Sequence, residues 1–174
     1  MPRVKLFLVP FKRSPTSLAA LVTAARMAHT HTGAVVLLQV VPPLPLWIYD
    51  PTLGLNTGPL IDPRWDEDRR ANAEAYVRQV AQRLADSGVE AGADALLGEV
   101  APTIVEYANQ EAVDLIVMGC HERPGPLRAL LGSIADEVVR TAKQPVLLVR
   151  RDSASPSDTS PYAGVPTSAQ AKRE

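Results

Sequence analysis

The sequence predicts a doubly wound α/β domain, a mostly parallel sheet with helices on both faces, from three observations. Short runs such as residues 34–41 and 115–118 are apolar without alternation, as expected of parallel strands covered on both sides. Segments with apolar residues at helical spacing lie between these runs, giving the order β-α-β-α-β-α-β-α-β. A chain of 174 residues with 46% hydrophobic content can bury one core, so one domain is expected over residues 1–150. Right-handed crossovers and two faces to cover then select the doubly wound class.

Residues 4–9 are the first strand candidate, ended by Pro10. Ser14, Pro15, Thr16 and Ser17 open a helix in which Leu18, Leu21, Val22, Ala25 and Ala28 share one face. Gly33 stops it before the second strand, residues 34–41. The pattern lapses over residues 42–64, which carry six prolines. Trp47, Ile48, Tyr49 and Leu53 are too apolar for a pure linker, so this loop reads as a pocket flap or partner-contact arm, with loose surface packing as the alternative. Residues 66–87 form the longest helix candidate. Ala73, Tyr76, Val77, Val80 and Leu84 make its buried stripe, opposite a solvated face of Arg69, Arg70, Glu74, Arg78 and Arg83.

Gly88 ends that helix, and residues 89–97 are a weaker strand whose Glu90, Gly92 and Asp94 suggest a sheet edge. Pro102 opens a third helix with Ile104, Val105 and Ala108 inward, leading to the strand at residues 115–118. Gly119, Gly125 and Gly132 punctuate the next loop, and Ser133 stands as N-cap of a helix over 133–142. Residues 145–149 are the last strand. From Asp152 onward Ser, Pro, Ala and Thr dominate, and the tail 151–174 is expected to be disordered.

Composition narrows the function classes. A net charge of −1 supplies no basic excess to displace counterions, which argues against nucleic-acid binding. Cys120 is the single cysteine, which excludes an internal disulfide framework and fits a reducing cytoplasm. The apolar stretch near the N-terminus is short, stops at Pro10 and meets Lys12 and Arg13, so it does not read as a leader. No run approaches bilayer-spanning length, and a soluble cytoplasmic protein without a membrane partner is expected.

Ligands of doubly wound sheets sit beyond the carboxyl ends of the strands, so loops 10–14, 41–43 and 119–132 should converge. A glycine loop feeding a helix N-terminus offers free N–H groups and a positive dipole end to an anion. Arg123 and Arg128 in that loop read either as a phosphate clamp or as surface charge. Cys120, His121, His29 and His31 do not supply three or four convergent metal ligands, so no metal is expected. Ser14, Ser17 and Ser133 read as helix-start residues, since no histidine–carboxylate partnership marks a nucleophile.

Three segments resemble the universal stress protein family over residues 4–149: LFLVPFKRSPTSLAALVTAARMA (6–28), GEVAPTIVEYANQEAVDLIVMG (98–119) and GSIADEVVRTAKQPVLLV (132–149). The resemblance implies a five-stranded parallel sheet in the order 3-2-1-4-5. It also implies a homodimer through the last strand, with Val146, Leu147, Leu148, Val149 and Arg150 as the edge. The family divides into ATP-binding and non-binding branches, and the former carries Gly, two residues, Gly, nine residues, then Gly-Ser or Gly-Thr. Gly119, Gly132 and Ser133 match, but Glu122 replaces the second glycine, and Lys12 replaces an aspartate at the end of the first strand.

The candidate nucleotide site so implied comprises Pro10, Lys12, Val41, Gly98, Gly119, Glu122, Arg123, Gly125, Gly132 and Ser133. Val41 would lie against a base in that geometry, or belong simply to the core. Glu122 puts bulk and negative charge where phosphate must approach, and Lys12 removes an acceptor. The two either pair across the pocket mouth or point separately into water. Two functions follow. One is a stress-response regulatory domain binding ATP, the candidate cofactor, or another phosphorylated ligand with altered affinity. The other is a dimeric interaction module acting through an unknown protein partner. ATP hydrolysis, weak at most, lacks a visible general base or metal-binding carboxylate cluster, and Asp136 and Glu137 lie inside a helix.

Overall fold

Alternate side chains of a doubly covered strand must find two separate cores, and a computed structural model of residues 5–43, 64–120 and 132–150 shows both. The elements run β1 (Leu6–Pro10), α1 (Pro15–His31), β2 (Ala34–Val41), α2 (Trp65–Asp86), β3 (Glu90–Leu97), α3 (Val100–Gln110), β4 (Leu115–Cys120), α4 (Ser133–Thr141) and β5 (Val146–Arg150). The five strands lie in the order β3-β2-β1-β4-β5, all parallel, as expected. Phe7, Val9, Val35, Leu37 and Val117 meet α1 and α2 on one face. Leu8, Val36, Leu38, Ile116 and Met118 meet α3 and α4 on the other. The flap expected within 42–64, the glycine loop over 121–131 and the tail from 151 fall outside the described residues, apart from the loop's ends.

Ser14 caps α1 as expected, its Oγ accepting from Ser17 N at 3.3 Å, with Pro15 at the first helical position. The buried stripe differs from the sequence pattern. Ala20, Leu21, Ala24, Ala25 and Ala28 face the sheet, while Leu18 and Val22 are only partly buried. Close approach explains this: a Cβ on Gly119 would sit 2.2 Å from the Thr16 carbonyl oxygen, so α1 presses its smallest side chains against β4.

α2 begins at Trp65 and buries the expected stripe, with Ala81 added. On its outer face Arg70 bridges Glu67 and Glu74, solvated pairs worth little to stability. β3 is an edge strand as expected, with Glu90, Gly92 and Asp94 exposed. Tyr107 of α3 donates its hydroxyl to Asp94, and burial together with that bond pushes the phenol well above its ordinary pKa.

Three boundaries shift. α3 starts at Val100, leaving Pro102 within its first turn, where a missing N–H costs nothing. Gly132, not Ser133, holds the N-cap of α4, and Ser133 is the first helical residue. The cap is set by backbone angles, and Gly132 at φ −61 and ψ 148 is the last extended residue. β5 starts at Val146, after Pro145, whose carbonyl accepts from Ile116 N at 3.0 Å. No helix among the described residues is long and apolar enough to cross a membrane.

Candidate functional site

β1 and β4 are neighbours, so the chain leaving β1 toward α1 and the N-terminus of α4 meet above adjacent strand ends. A cavity of about 440 Å³ opens there. Leu38, Val40 and Met118 from the sheet, Val100 and Ile104 from α3, and Ile134 and Ala135 from α4 give it an apolar lining. Pro10, Phe11, Lys12, Thr16 and Ser17 form the opposite rim, and Pro42, Gly119, Cys120, Gly132 and Ser133 complete the described wall. No carboxylate stands among these described lining residues, and Lys12 is their cation.

Two helix N-termini reach this cavity with different chemistry. At α1, Ser14 Oγ lies 3.0 Å from Ser17 Oγ and 3.2 Å from Thr16 Oγ1, and Lys12 N donates to Ser17 Oγ at 3.4 Å. Here the Ser14 hydroxyl accepts from Ser17 N and links to the two neighbouring hydroxyls. At α4, the cap residue Gly132 has no side chain, and no side-chain cap bond is made among the described residues. The first intrahelical bond runs from Asp136 N to Gly132 O at 2.9 Å, so the amides before it have no acceptor within the helix. They present N–H groups and the positive end of the dipole. Gly119 lets the backbone pass between these two ends, since any Cβ there would strike Thr16.

The structure brings Pro10, Lys12, Gly119, Gly132 and Ser133 together around the cavity. Val41 is not with them. Strand alternation turns it to the other face, beside Ala73 and Ala95, and its neighbour Val40 faces this cavity instead. Gly98 also lies away from the lining. It donates to Val41 O at 3.1 Å, and a Cβ there would stand 2.4 Å from Thr103 Oγ1, so its role is to fit the β3–α3 turn. Glu122, Arg123, Gly125 and Arg128 lie outside the described residues, and with them the pairing of Lys12 and Glu122. Phe11, Val40, Ile104, Met118 and Ile134 were not expected in the site. Parity with the buried Leu38 was the signal that pointed to Val40.

β5 pairs with β4 on one side, and Val146 through Val149 are half-buried while Arg150 is exposed. No group of three or more metal-ligating side chains occurs among the described residues.

A parallel sheet in this order, with helices on both faces and an apolar cavity at its switch point, places the chain in the doubly wound α/β class. Residues 4–150 match the sequence profile of the Universal stress protein family, and the chain belongs to that family. It is 35% identical over 82 residues to a universal stress protein of Methanocaldococcus jannaschii, covering 47% of this chain and 48% of that protein. The match therefore spans about half the length of that curated relative. Among solved structures, the universal stress protein UspA of Lactobacillus plantarum superposes with a TM-score of 0.65 at 28% identity, over 86% of this chain and all of that one (100%). A universal stress protein solved with cAMP and one from Archaeoglobus fulgidus solved with dAMP share the fold, each at TM-score 0.56 and at 20% and 19% identity. They cover 83% and 85% of this chain and 95% and 98% of their own.

Proposed function

We propose that this protein is a stress-response regulatory domain that binds ATP or a related phosphorylated ligand at the α4 end of the 440 Å³ cavity. The observation that carries this reading is the uncapped first turn of α4 beside an apolar pocket with no carboxylate among its described walls. Phosphate would lie on the amides after Gly132 with the Ser133 hydroxyl in reach, and an apolar base would contact Val40, Met118 and Ile104. The nucleotides in the cAMP and dAMP structures support this ligand class. Lys12 changes the other end of the cavity from an acceptor to a donor, which alters affinity rather than abolishing the site. No residue is assigned a catalytic role, and any ATP hydrolysis would be weak.

The protein would work in the cytoplasm as a homodimer joined through β5, where four half-buried apolar residues line an open edge. Mass spectrometry of the purified protein under native conditions, followed by calorimetric titration with ATP, tests both points. Co-purified nucleotide or a saturable heat, on a dimer, is expected. A ligand-free protein that gives no heat with ATP overturns the nucleotide reading. The same apolar edge then favours the second reading, a dimeric module that regulates protein partners without a nucleotide.

A further inference from the structure

We propose that the guest of the 440 Å³ cavity carries a second phosphate on its ribose, bound at the start of α1 by Lys12 and Ser17. The preferred ligand is then a nucleoside bisphosphate, with one phosphate at each helix end. This inference rests on the nucleotide reading and adds to it the group that the α1 end selects.

The hydroxyls at that end leave one proton over. Ser14 Oγ accepts from Ser17 N at 3.3 Å and gives its own proton to Ser17 Oγ at 3.0 Å. Ser17 Oγ also accepts from Lys12 N at 3.4 Å, so both of its lone pairs are taken. The Ser17 proton has no acceptor among the described residues. The cap thus serves an amide of α1 and passes the unmet donor to Ser17, which is 7% exposed and lines the cavity. A buried donor without an acceptor is unfavourable, and a guest oxygen relieves it.

Lys12 stands on the same rim, exposed, and makes no ion pair with a described residue. The first turn of α1 has no acidic residue, and no carboxylate occurs among the described lining residues. An ammonium, a hydroxyl proton and the positive end of a helix dipole therefore meet there with nothing negative to answer them. A ribose hydroxyl answers them poorly, because it brings a further proton and no charge. A phosphate monoester brings several acceptor oxygens and the charge that an ammonium matches. The two helix ends lie on opposite sides of the apolar lining. A nucleoside whose base meets Val40 and Met118 can direct its 5′ group to α4 and its 2′ or 3′ group to α1.

The test is calorimetric titration of the full chain with AMP, adenosine 2′,5′-bisphosphate and adenosine 3′,5′-bisphosphate, which share base, ribose and 5′-phosphate. One bisphosphate is expected to bind about tenfold to a hundredfold more tightly than AMP, and the tighter isomer names the position read. Lys12→Gln, at an exposed position, should bring that ratio close to one. Lys143→Gln, which removes an exposed cation outside the lining, should leave the ratio intact and so exclude a general effect of charge. Ser17→Ala should lower the ratio several-fold, with thermal unfolding followed alongside. Equal affinity for AMP and both bisphosphates, or a ratio that survives Lys12→Gln, overturns this inference and leaves the nucleotide reading standing. A ratio lost equally in Lys143→Gln also overturns it. No heat with any of the three, nor with ATP, overturns the nucleotide reading itself and this inference with it.

Discussion

The first turns of α1 and α4 border one cavity, and the chain treats their unpartnered amides in opposite ways. Ser14, Thr16 and Ser17 bring three hydroxyls to the start of α1, so that end is completed by folding alone. Gly132 brings no side chain to α4, and no side-chain cap closes that end among the described residues. A cap supplied by the chain contributes to stability at all times, whereas an open end holds the same interaction in reserve for a guest. Under the proposed function the anion would lie at the α4 end, and the α1 end, with Lys12, would set which ligand is preferred.

Substitutions can break or sharpen that contrast. Gly119→Ala should have the largest effect, because the new Cβ would lie 2.2 Å from the Thr16 oxygen and push α1 away from β4. A loss of about 3 kcal/mol is expected in chemical denaturation, with both helix ends displaced. Lys12→Asp restores an acceptor at the α1 end and should tighten ATP about tenfold in calorimetry, about 1.4 kcal/mol, while leaving the α4 end untouched. Unchanged or weaker binding would show that Lys12 does not discriminate between ligands. Ser14→Ala opens the closed end, at a cost of about 1 kcal/mol in thermal or chemical unfolding, with ATP affinity unchanged. Gly132→Ser closes the open end. A Cβ there meets nothing within 4 Å, so the hydroxyl can cap α4 and raise stability by roughly a few tenths of a kcal/mol. That same hydroxyl competes for the amides, and ATP binding should weaken several-fold. Stability and affinity moving together would contradict the contrast.

The order of elements was legible because it rests on periodicity, which survives from sequence to sheet. The turn of α1 about its axis was not. Leu18 and Val22 outrank alanine in hydrophobicity, yet the close contact between Thr16 and Gly119 selects the alanine face. Gly119, Gly132, Lys12 and Pro10, singled out from their places at strand and helix ends, line the cavity. Of the two readings of Val41 the structure shows the core one, beside Ala73 and Ala95, while Val40 turns to the cavity, because on a strand one residue exchanges one face of the sheet for the other. A cavity of about 390 Å³ on the α1 and α2 side, at the end of β2, left no local trace in the sequence. Arg69 reads as part of a solvated helix face, and only the tertiary fold brings it beside Arg13 and Gln39.

The two margins of the sheet differ as sharply as the two helix ends. β3 presents Glu90 and Asp94, the latter engaged by Tyr107, whereas β5 presents Val146 to Val149. One margin therefore repels further strands and the other accepts one. Growth of the sheet by repeated addition needs two adhesive margins per chain, and this chain has one. If the protein pairs through β5 about a two-fold axis, as proposed above, that margin is used up and assembly would halt at a pair.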